Sequence, residues 1–374
     1  MIVKDAGIQD FLRDYWQKKP ILLRQALPGF VDPLSPEQLA GLACEPEVES
    51  RLVFTRRKTW DMKSGPFRTK DFTTLPARNW TLLVQAVDQW LPEVRQLLST
   101  VPFLPSWRVD DVMISYATAN GGVGPHFDYY DVFLIQGQGS RIWKTGQHCT
   151  TADTLRTDSG LKLLKKFHTE HEWHLQSGDV LYVPPGVAHW GVSVDDSLCY
   201  SIGFRAPSLA DAVLGYSEEL AAGLSPDLRF QDPKRQQPLR AGEISKADLQ
   251  QAKRQLQQVL HDDAALERWL GLHMTQPRYP EQIQPTGSRI QPDSRLALHP
   301  ASRLAWIEQP RQLQVFVDGD SQLLPASNSL RSSLQALASG ASVTYRSMAR
   351  NHACLEWCQS LLVTGSLQVE LPEN

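Results

Sequence analysis

The chain has 374 residues, of which 41% are hydrophobic and 21% are charged, and its formal net charge is −3. These values are typical of a soluble globular protein long enough for two or three domains. They give no general attraction to nucleic acid, so a basic partner must be met by local acidic patches. No segment approaches the ~18 uninterrupted apolar residues of a membrane span, and charges interrupt residues 1–16, where a signal-peptide core would lie.

The cysteines favour a reducing compartment. They are odd in number and include no CxxC pair, and Cys354 and Cys358 stand one helical turn apart, as two core residues would. We therefore expect a cytoplasmic protein in which ferrous iron is available.

The first hundred residues predict a mixed α/β segment. Ile8, Phe11, Leu12 and Tyr15 follow helical spacing, and residues 20–23 (PILL) predict a strand. Residues 80–98 (WTLLVQAVDQWLPEVRQLL) predict an amphipathic helix.

From about Arg108 the pattern changes to short β-runs separated by Gly and Pro, which is typical of a sandwich or barrel. The predicted strands are Val112–Ala117, Val132–Gln136, Arg141–Lys144, Val180–Val183 and Tyr200–Phe204.

After Pro207 the chain becomes helical and then mixed again. Helices are predicted at 209–224, after a Ser245 cap, at 267–273, at 330–337 and at 354–362. Residues 276–292 contain four prolines and predict a linker. Asp318-Gly319, after the apolar run 315–317, predicts a hairpin turn.

Two histidines and an aspartate carry the clearest chemistry. His126 and Asp128 are separated by one residue, so in a strand they share a face, and His189 ends a PPGVAH run at 184–189. Two imidazoles and one carboxylate are the ligands of non-haem Fe(II) sites that leave positions open for oxygen and a co-substrate. The spacing Gly178-x5-Pro184-x-Gly186-x-x-His189 matches the second signature of the cupin double-stranded β-helix.

A second cluster of histidines could be mistaken for a zinc site. His168, His171 and His174 lie beside two glutamates and follow a lysine-rich stretch that ends before a strand predicted from Trp173. We interpret this cluster as a solvated charged segment rather than a zinc site.

Arg141 follows the Gly-rich turn at 137–139 and opens the next predicted strand. A guanidinium can hold the far carboxylate of a dicarboxylic acid through two charge-assisted hydrogen bonds, as a 2-oxoglutarate site requires. The alternative is a surface salt bridge.

These motifs resemble the JmjC-type 2-oxoglutarate oxygenases, and within them the bacterial ribosomal oxygenases that hydroxylate an arginine of the large-subunit ribosomal protein uL16. The similar stretches are 11–23 (FLRDYWQKKPILL), 107–143, the PPGxxH turn and 200–207 (YSIGFRAP). The most specific is 121–146 (GGVGPHFDYYDVFLIQGQGSRIWKTG).

The resemblance implies roles for individual residues. His126, Asp128 and His189 would bind Fe(II) and form the catalytic centre, while Arg141 and Ser115 would bind 2-oxoglutarate, with O2 as the other co-substrate. Residues 111, 113 and 115 alternate on one strand and share a face. We therefore expect a substrate arginine to meet four residues, for each of which the alternative is an ordinary barrel-interior or rim residue: Asp111, Met113, Tyr130 and Ser201.

The implied fold class is α+β, a double-stranded β-helix of the cupin/JmjC jelly-roll type with flanking helices. The expected segments are an N-terminal α/β segment (1–90), a JmjC catalytic core (91–207), a helical dimerisation region (208–275), a Pro-rich linker (276–296) and a winged-helix-like domain (297–374). A homodimer acting on a basic protein is expected, with no direct DNA binding.

Three other functions remain open at this stage. An N-methyl lysine or arginine demethylase uses the same iron chemistry. A small-molecule cupin enzyme usually has more histidine ligands and lacks an Arg141 equivalent. A non-enzymatic cupin binding module is disfavoured by the intact set of motifs. Besides these three, a regulator acting through the C-terminal unit also stays open. Acidic residues expected near the barrel mouth would suit a basic substrate: Asp110, Asp111, Asp131, Glu170, Glu172, Asp195 and Asp196.

Overall fold

The computed structural model describes residues 1–4, 7–56, 59–157, 160–233, 235, 237, 240–285 and 290–370. The chain divides into two compact units, Met1–Ala206 and Pro207–Asn374. In the described part of the chain, no helix combines the length and the hydrophobicity needed to cross a bilayer.

The first unit is built mainly from antiparallel strands. Its helices are α1 (Ile8–Asp14), α2 (Pro36–Leu42), α3 (Thr69–Thr73) and α4 (Pro92–Arg95). Its strands are β1 (Ile21–Leu23), β2 (Ser50–Arg56), β3 (Thr59–Ser64), β4 (Trp80–Val84), β5 (Val109–Ala117), β6 (Val132–Gln136), β7 (Ser140–His148), β8 (Thr169–Gln176), β9 (Val180–Val183), β10 (Val187–Ser193) and β11 (Ser197–Phe204).

Two sheets enclose the interior of this unit. The larger has the strand order β1-β9-β6-β11-β5-β4-β2-β3, and the smaller has the order β10-β7-β8. Strands β6, β9 and β11 are buried along their whole length, because both faces of the larger sheet are covered. The N-terminal helices pack on one face, around Phe133, Tyr182 and Tyr200. The other face shares a cluster with the smaller sheet, formed by Val132, Leu134, Trp143, Leu175, Leu181, Val183, Val187 and Cys199.

The second unit combines helices with two small sheets. Its helices are α5 (Leu209–Gly223), α6 (Lys246–Val259), α7 (Asp263–Thr275), α8 (Asn328–Ala338), α9 (Tyr345–Met348) and α10 (His352–Thr364). Its strands are β12 (Arg295–Leu298), β13 (Leu304–Glu308), β14 (Gln312–Val317), β15 (Asp320–Pro325), β16 (Val343–Thr344) and β17 (Leu367–Val369), in the orders β16-β12-β17 and β13-β14-β15. Helix α7 packs closely on this second sheet, since a Cβ added at Gly271 would lie 2.4 Å from the Phe316 ring.

Several predicted elements of the second unit are confirmed. Ser245 is the N-cap of α6, and its hydroxyl accepts a hydrogen bond from the Asp248 N–H. Asp318 and Gly319 connect β14 to β15 with φ values of 53° and 81°, as a type I′ hairpin turn requires. Cys354 and Cys358 are both buried. Part of the predicted linker, residues 286–289, lies outside the described residues.

The helix predicted over residues 80–98 is wrong. Residues 80–84 form β4, which pairs with β2 and β5, and the rest of the segment is broken into short helical turns around Pro92. The apolar residues of this segment fit both periodicities, and two neighbouring strands decide the outcome by pairing with it. The positive φ of Ala86 (51°) then ends the strand.

Candidate metal centre

His126, Asp128 and His189 come together although they lie far apart in the chain. Their ligand atoms are all within 4.8 Å of one another, and in the described part of the chain no other such group of His, Cys, Asp or Glu is found. Asp128 Oδ2 lies 3.5 Å from His189 Nε2 and 3.9 Å from His126 Nε2. Ligand atoms held about 2.0–2.2 Å from one metal ion are roughly 3–4 Å apart, so the three fit a single ion.

The two histidines are positioned by their backbones. His126 and His189 form an isolated antiparallel bridge, with hydrogen bonds of 3.1 Å from His126 N to His189 O and 2.8 Å from His189 N to His126 O. The expectation that a strand carries the His-x-Asp pair is therefore only partly met. This bridge holds His126, while Asp128 lies outside the strands and its carbonyl accepts a 2.7 Å hydrogen bond from the Gly186 N–H.

Two glycines permit this close approach. Gly186 has φ +78°, and a Cβ there would lie 2.5 Å from His148 Nε2. Gly124 has φ +90°, and a Cβ there would lie 2.8 Å from the Trp60 ring. Side chains at either position would be both strained and crowded.

The orientation of both imidazoles suits metal binding. Nδ1 of His126 lies 2.9 Å from the Gly124 carbonyl, and Nδ1 of His189 lies 3.0 Å from the Val187 carbonyl. A carbonyl can only accept, so each Nδ1 carries the proton and each Nε2 presents a lone pair to the shared centre. Burial lowers the pKa of His189 to about 4, which keeps this ring neutral. Neutral imidazole and carboxylate donors are a set that Fe(II) accepts.

Phe127 lies away from the centre, as expected for the residue between two ligands. Its ring packs against the cluster of Cys149, Leu164 and Ala188, and it contacts the Tyr129 ring at a centroid distance of 5.2 Å.

Arg141 is a buried cation on β7. Its Nε donates to Ser197 Oγ (2.8 Å) and its Nη1 to Ser115 Oγ (2.7 Å), while Nη2 donates to the carbonyls of Ser115 and Ser197 (2.8 and 2.9 Å). Among the described residues, none of these partners is a carboxylate, so its charge is not compensated by an anion. Burial lowers the pKa of Arg141, but a guanidinium stays protonated in proteins.

Sequence reasoning identified Ser115 beside Arg141 but missed Ser197. Ser197 lies on β11, two strand repeats from Ser201, so the even spacing of the two serines was the available signal. Ser115 and Ser197 fix the orientation of the Arg141 guanidinium before any ligand binds.

The proposed substrate residues share one wall of the barrel. Asp111 and Met113 alternate with Ser115 on β5, and they lie opposite Gly203 and Ser201 of β11. Tyr130 is partly exposed, and burial together with the nearby Asp128 carboxylate raises the pKa of its hydroxyl.

Asp111 already has partners inside the protein. Its Oδ2 accepts hydrogen bonds from Gln85 Nε2 (2.6 Å) and from the Ala86 N–H (3.0 Å). The carboxylate is thereby fixed in position on the barrel wall.

The expected acidic mouth is largely neutralised. Asp131 is fully buried, where it accepts hydrogen bonds from Tyr182 and Gln17. Glu172 pairs with Lys144, and Asp110 pairs with Arg205. These groups therefore support a basic substrate less than their number in the sequence indicated.

The second histidine cluster is exposed to solvent, as interpreted, but most of it lies on a strand. His168, His171 and His174 are exposed, and the last two belong to β8. This strand begins at Thr169 rather than at Trp173, so the three rings do not share a helical face.

The fold and the site define a class of protein, the Fe(II)- and 2-oxoglutarate-dependent oxygenases of the JmjC type. The JmjC domain model matches residues 96–212, and a ROXA-like winged-helix model matches residues 258–368.

Comparison with individual proteins narrows the class. The chain is 36% identical to the ribosomal protein uL16 3-hydroxylase of Escherichia coli over 290 residues, which are 76% of this chain and 75% of that protein. It is 37% identical over 262 residues to a probable ribosomal oxygenase of Haemophilus influenzae, covering 68% of this chain and 64% of that one. The structure of the E. coli ribosomal oxygenase YcfD with cobalt and 2-oxoglutarate superposes with a TM-score of 0.84 at 30% identity, covering 98% of this chain and 99% of that one. The chain belongs to the JmjC-type ribosomal oxygenases.

Proposed function

We propose that this protein hydroxylates C3 of an arginine side chain in the large-subunit ribosomal protein uL16. The observation that carries the proposal is the buried Arg141, which lacks an anionic partner among the described residues and shares the barrel interior with the His126, Asp128 and His189 cluster. A dicarboxylic co-substrate supplies the missing anion. The curated E. coli relative is named a uL16 3-hydroxylase, which supports the choice of protein and carbon atom.

Each residue has a defined part in this mechanism. His126, Asp128 and His189 would hold the iron, which would supply oxidation of a C–H bond by O2, coupled to decarboxylation of 2-oxoglutarate to succinate and carbon dioxide. Arg141, held by Ser115 and Ser197, binds the far carboxylate of 2-oxoglutarate and fixes its direction.

The substrate arginine would lie against the wall formed by Asp111, Met113, Tyr130 and Ser201. The Asp111 carboxylate is fixed by Gln85 and Ala86, so it can pair with a guanidinium without losing side-chain freedom on binding. Met113 and the Tyr130 ring would pack along the apolar stem and the planar head.

The proposal extends to assembly and location. Helix α6 has no buried residue, and Leu249, Leu256 and Leu260 are exposed at helical spacing on and just after it. An apolar stripe of this kind is best accounted for by a second copy of the helical region 208–275, so we infer a homodimer. All five cysteines are free, as a reducing cytoplasm would keep them.

The test is direct. Protein reconstituted anaerobically with Fe(II) and 2-oxoglutarate is mixed with air and uL16 peptides, and products are read by intact mass. A gain of one oxygen on an arginine, with succinate formed in step and both lost in His126→Ala, is expected. Succinate without peptide oxidation on any ribosomal peptide would contradict the substrate assignment.

Demethylation is the second candidate. Relatives that are 24% identical over about half of this chain are named bifunctional lysine-specific demethylase and histidyl-hydroxylase. Methylated peptides in the same assay distinguish it, because demethylation replaces an N-methyl group by hydrogen and lowers the peptide mass, whereas hydroxylation raises it.

A further inference from the structure

Strand β7 carries two polar atoms that the mechanism above does not use. Arg141, Trp143 and Thr145 alternate along this strand and therefore point to the same side as the Arg141 guanidinium. Thr145 is 1% exposed and Trp143 is 6% exposed. Among the described residues, Thr145 Oγ1 and Trp143 Nε1 have no hydrogen-bond partner.

The neighbouring strand places these atoms beside the metal centre. In the antiparallel pair of β7 and β10, Thr145 lies opposite His189 and Trp143 lies opposite Gly191. The Trp143 ring covers Gly191, where an added Cβ would lie 2.8 Å from three of its atoms, and its centroid is 6.0 Å from that of His189. Cross-strand neighbours have Cβ atoms about 4.5–5.5 Å apart, so the Thr145 side chain adjoins the His189 ring.

The strand thus connects the position of Arg141 to the metal centre. The Cα atoms of Arg141 and Thr145 are separated by about 13 Å at ~3.3 Å per residue. Arg141 stands at one end of this interval, and Thr145, opposite the proposed metal ligand His189, stands at the other. Trp143 lies in the middle.

We propose that Thr145 is a co-substrate contact: its hydroxyl donates a hydrogen bond to the metal-binding end of 2-oxoglutarate, and Trp143 forms the floor of the site with its indole N–H facing the same ligand. This inference rests on the proposed function, because it concerns the same co-substrate. A buried hydroxyl without a partner lowers stability. Valine has nearly the same shape and would fill this space without the loss of stability. The hydroxyl of Thr145 is therefore best explained by a ligand that it binds.

The decisive variant is Thr145→Val. Its affinity for 2-oxoglutarate is measured on the full chain loaded with cobalt, which binds the co-substrate without catalysing the reaction. Calorimetric titration with 2-oxoglutarate is expected to give about tenfold weaker binding than the wild type, the effect of losing one hydrogen bond to a charged group. Cobalt affinity is expected to stay unchanged.

The chain offers a matched control in Thr81→Val. Thr81 is 2% exposed, its hydroxyl also has no partner among the described residues, and it lies on β4 opposite Ala117 rather than beside the cluster. Both variants are expected to melt at or above the wild-type temperature without metal, because each removes an unpaired buried hydroxyl. Only Thr145→Val is expected to weaken 2-oxoglutarate binding. Trp143→Phe, which loses the indole N–H but keeps a ring, tests the floor of the site in the same titration.

Three outcomes would overturn the inference. Wild-type affinity of Thr145→Val for 2-oxoglutarate removes Thr145 from the site. A melting temperature several degrees below the wild type in the metal-free variant assigns Thr145 a structural role instead. A wild-type protein that takes up cobalt but no 2-oxoglutarate would refute the proposed function itself, and this result is distinguishable from the first two because it does not involve the variant.

Discussion

His126 and His189 are joined by both backbone hydrogen bonds of an antiparallel bridge, so the spacing of the two imidazoles is set by the main chain. Their side chains add no hydrogen bond to each other, and each Nδ1 is instead held by the carbonyl two residues earlier. The centre is consequently preorganised before metal arrives, and removing one imidazole leaves the bridge that holds the other.

We expect His126→Ala and Asp128→Ala to bind cobalt more than about 100-fold more weakly than the wild type, since loss of outer-shell partners alone costs 10–100-fold. The metal-free variants should melt near the wild-type temperature, because the bridge uses main-chain atoms. His171→Ala, at an exposed histidine of β8, is the control and should retain full affinity. Equal loss in His171→Ala would point to a metal site on β8 instead.

Arg141→Met should weaken 2-oxoglutarate binding by on the order of 2–3 kcal/mol, the value of a buried charge-assisted contact. Methionine fills part of the same volume without the charge, and Ser115 and Ser197 lose their donors as well. Titration of the cobalt-loaded protein measures the effect. An affinity equal to that of the wild type would mean that another cation binds the acid.

Gly203→Ala tests the barrel wall proposed to bind the substrate arginine, because it adds one methyl group and changes no charge. A Cβ at Gly203 would lie 3.6 Å from Asp111 Oδ1 and 3.9 Å from Tyr130 Cε2, which are ordinary contact distances that the fold tolerates. The methyl group would nevertheless occupy the space between the two residues proposed to hold the guanidinium. We expect kcat/KM for the arginine peptide to fall by at least about tenfold, or ~1.4 kcal/mol, while 2-oxoglutarate affinity stays at the wild-type value. Unchanged peptide turnover would place the guanidinium elsewhere.

The metal ligands could be predicted from the sequence because the motifs that contain them specify both the type of ligand and the geometry of the turn. His126, Asp128 and His189 could be singled out since a His-x-Asp pair and a Pro-Pro-Gly turn constrain the backbone as well as the side chains. Ser197 offered only the weaker signal of its even spacing from Ser201, and Thr145 offered none. Their places beside Arg141 and His189 follow from strand register.

Secondary structure was predictable where one periodicity dominated. The buried strand β6 is a largely apolar run and was predicted with its observed bounds. Residues 80–84 satisfy both helical and strand spacing, and they form a strand because they pair with β2 and β5. The burial of Asp131 was also beyond sequence reasoning, because its partners Gln17 and Tyr182 are more than fifty positions away in the chain. The five-segment division of the chain stays a prediction.

Helix α6 provides the test of assembly. If its exposed apolar stripe is a dimer interface, the double variant Leu249→Asp and Leu256→Asp should be a monomer, because burying two carboxylates against apolar side chains is strongly unfavourable. Light scattering after size-exclusion chromatography measures the oligomeric state. Far-UV circular dichroism should stay at the wild-type value, since neither residue is buried within the chain. Val363→Asp on α10 replaces another exposed apolar residue, 74% accessible, and is expected to leave the dimer intact. A wild-type protein that is monomeric at micromolar concentration, or a double variant that remains dimeric, would rule out α6 as the interface.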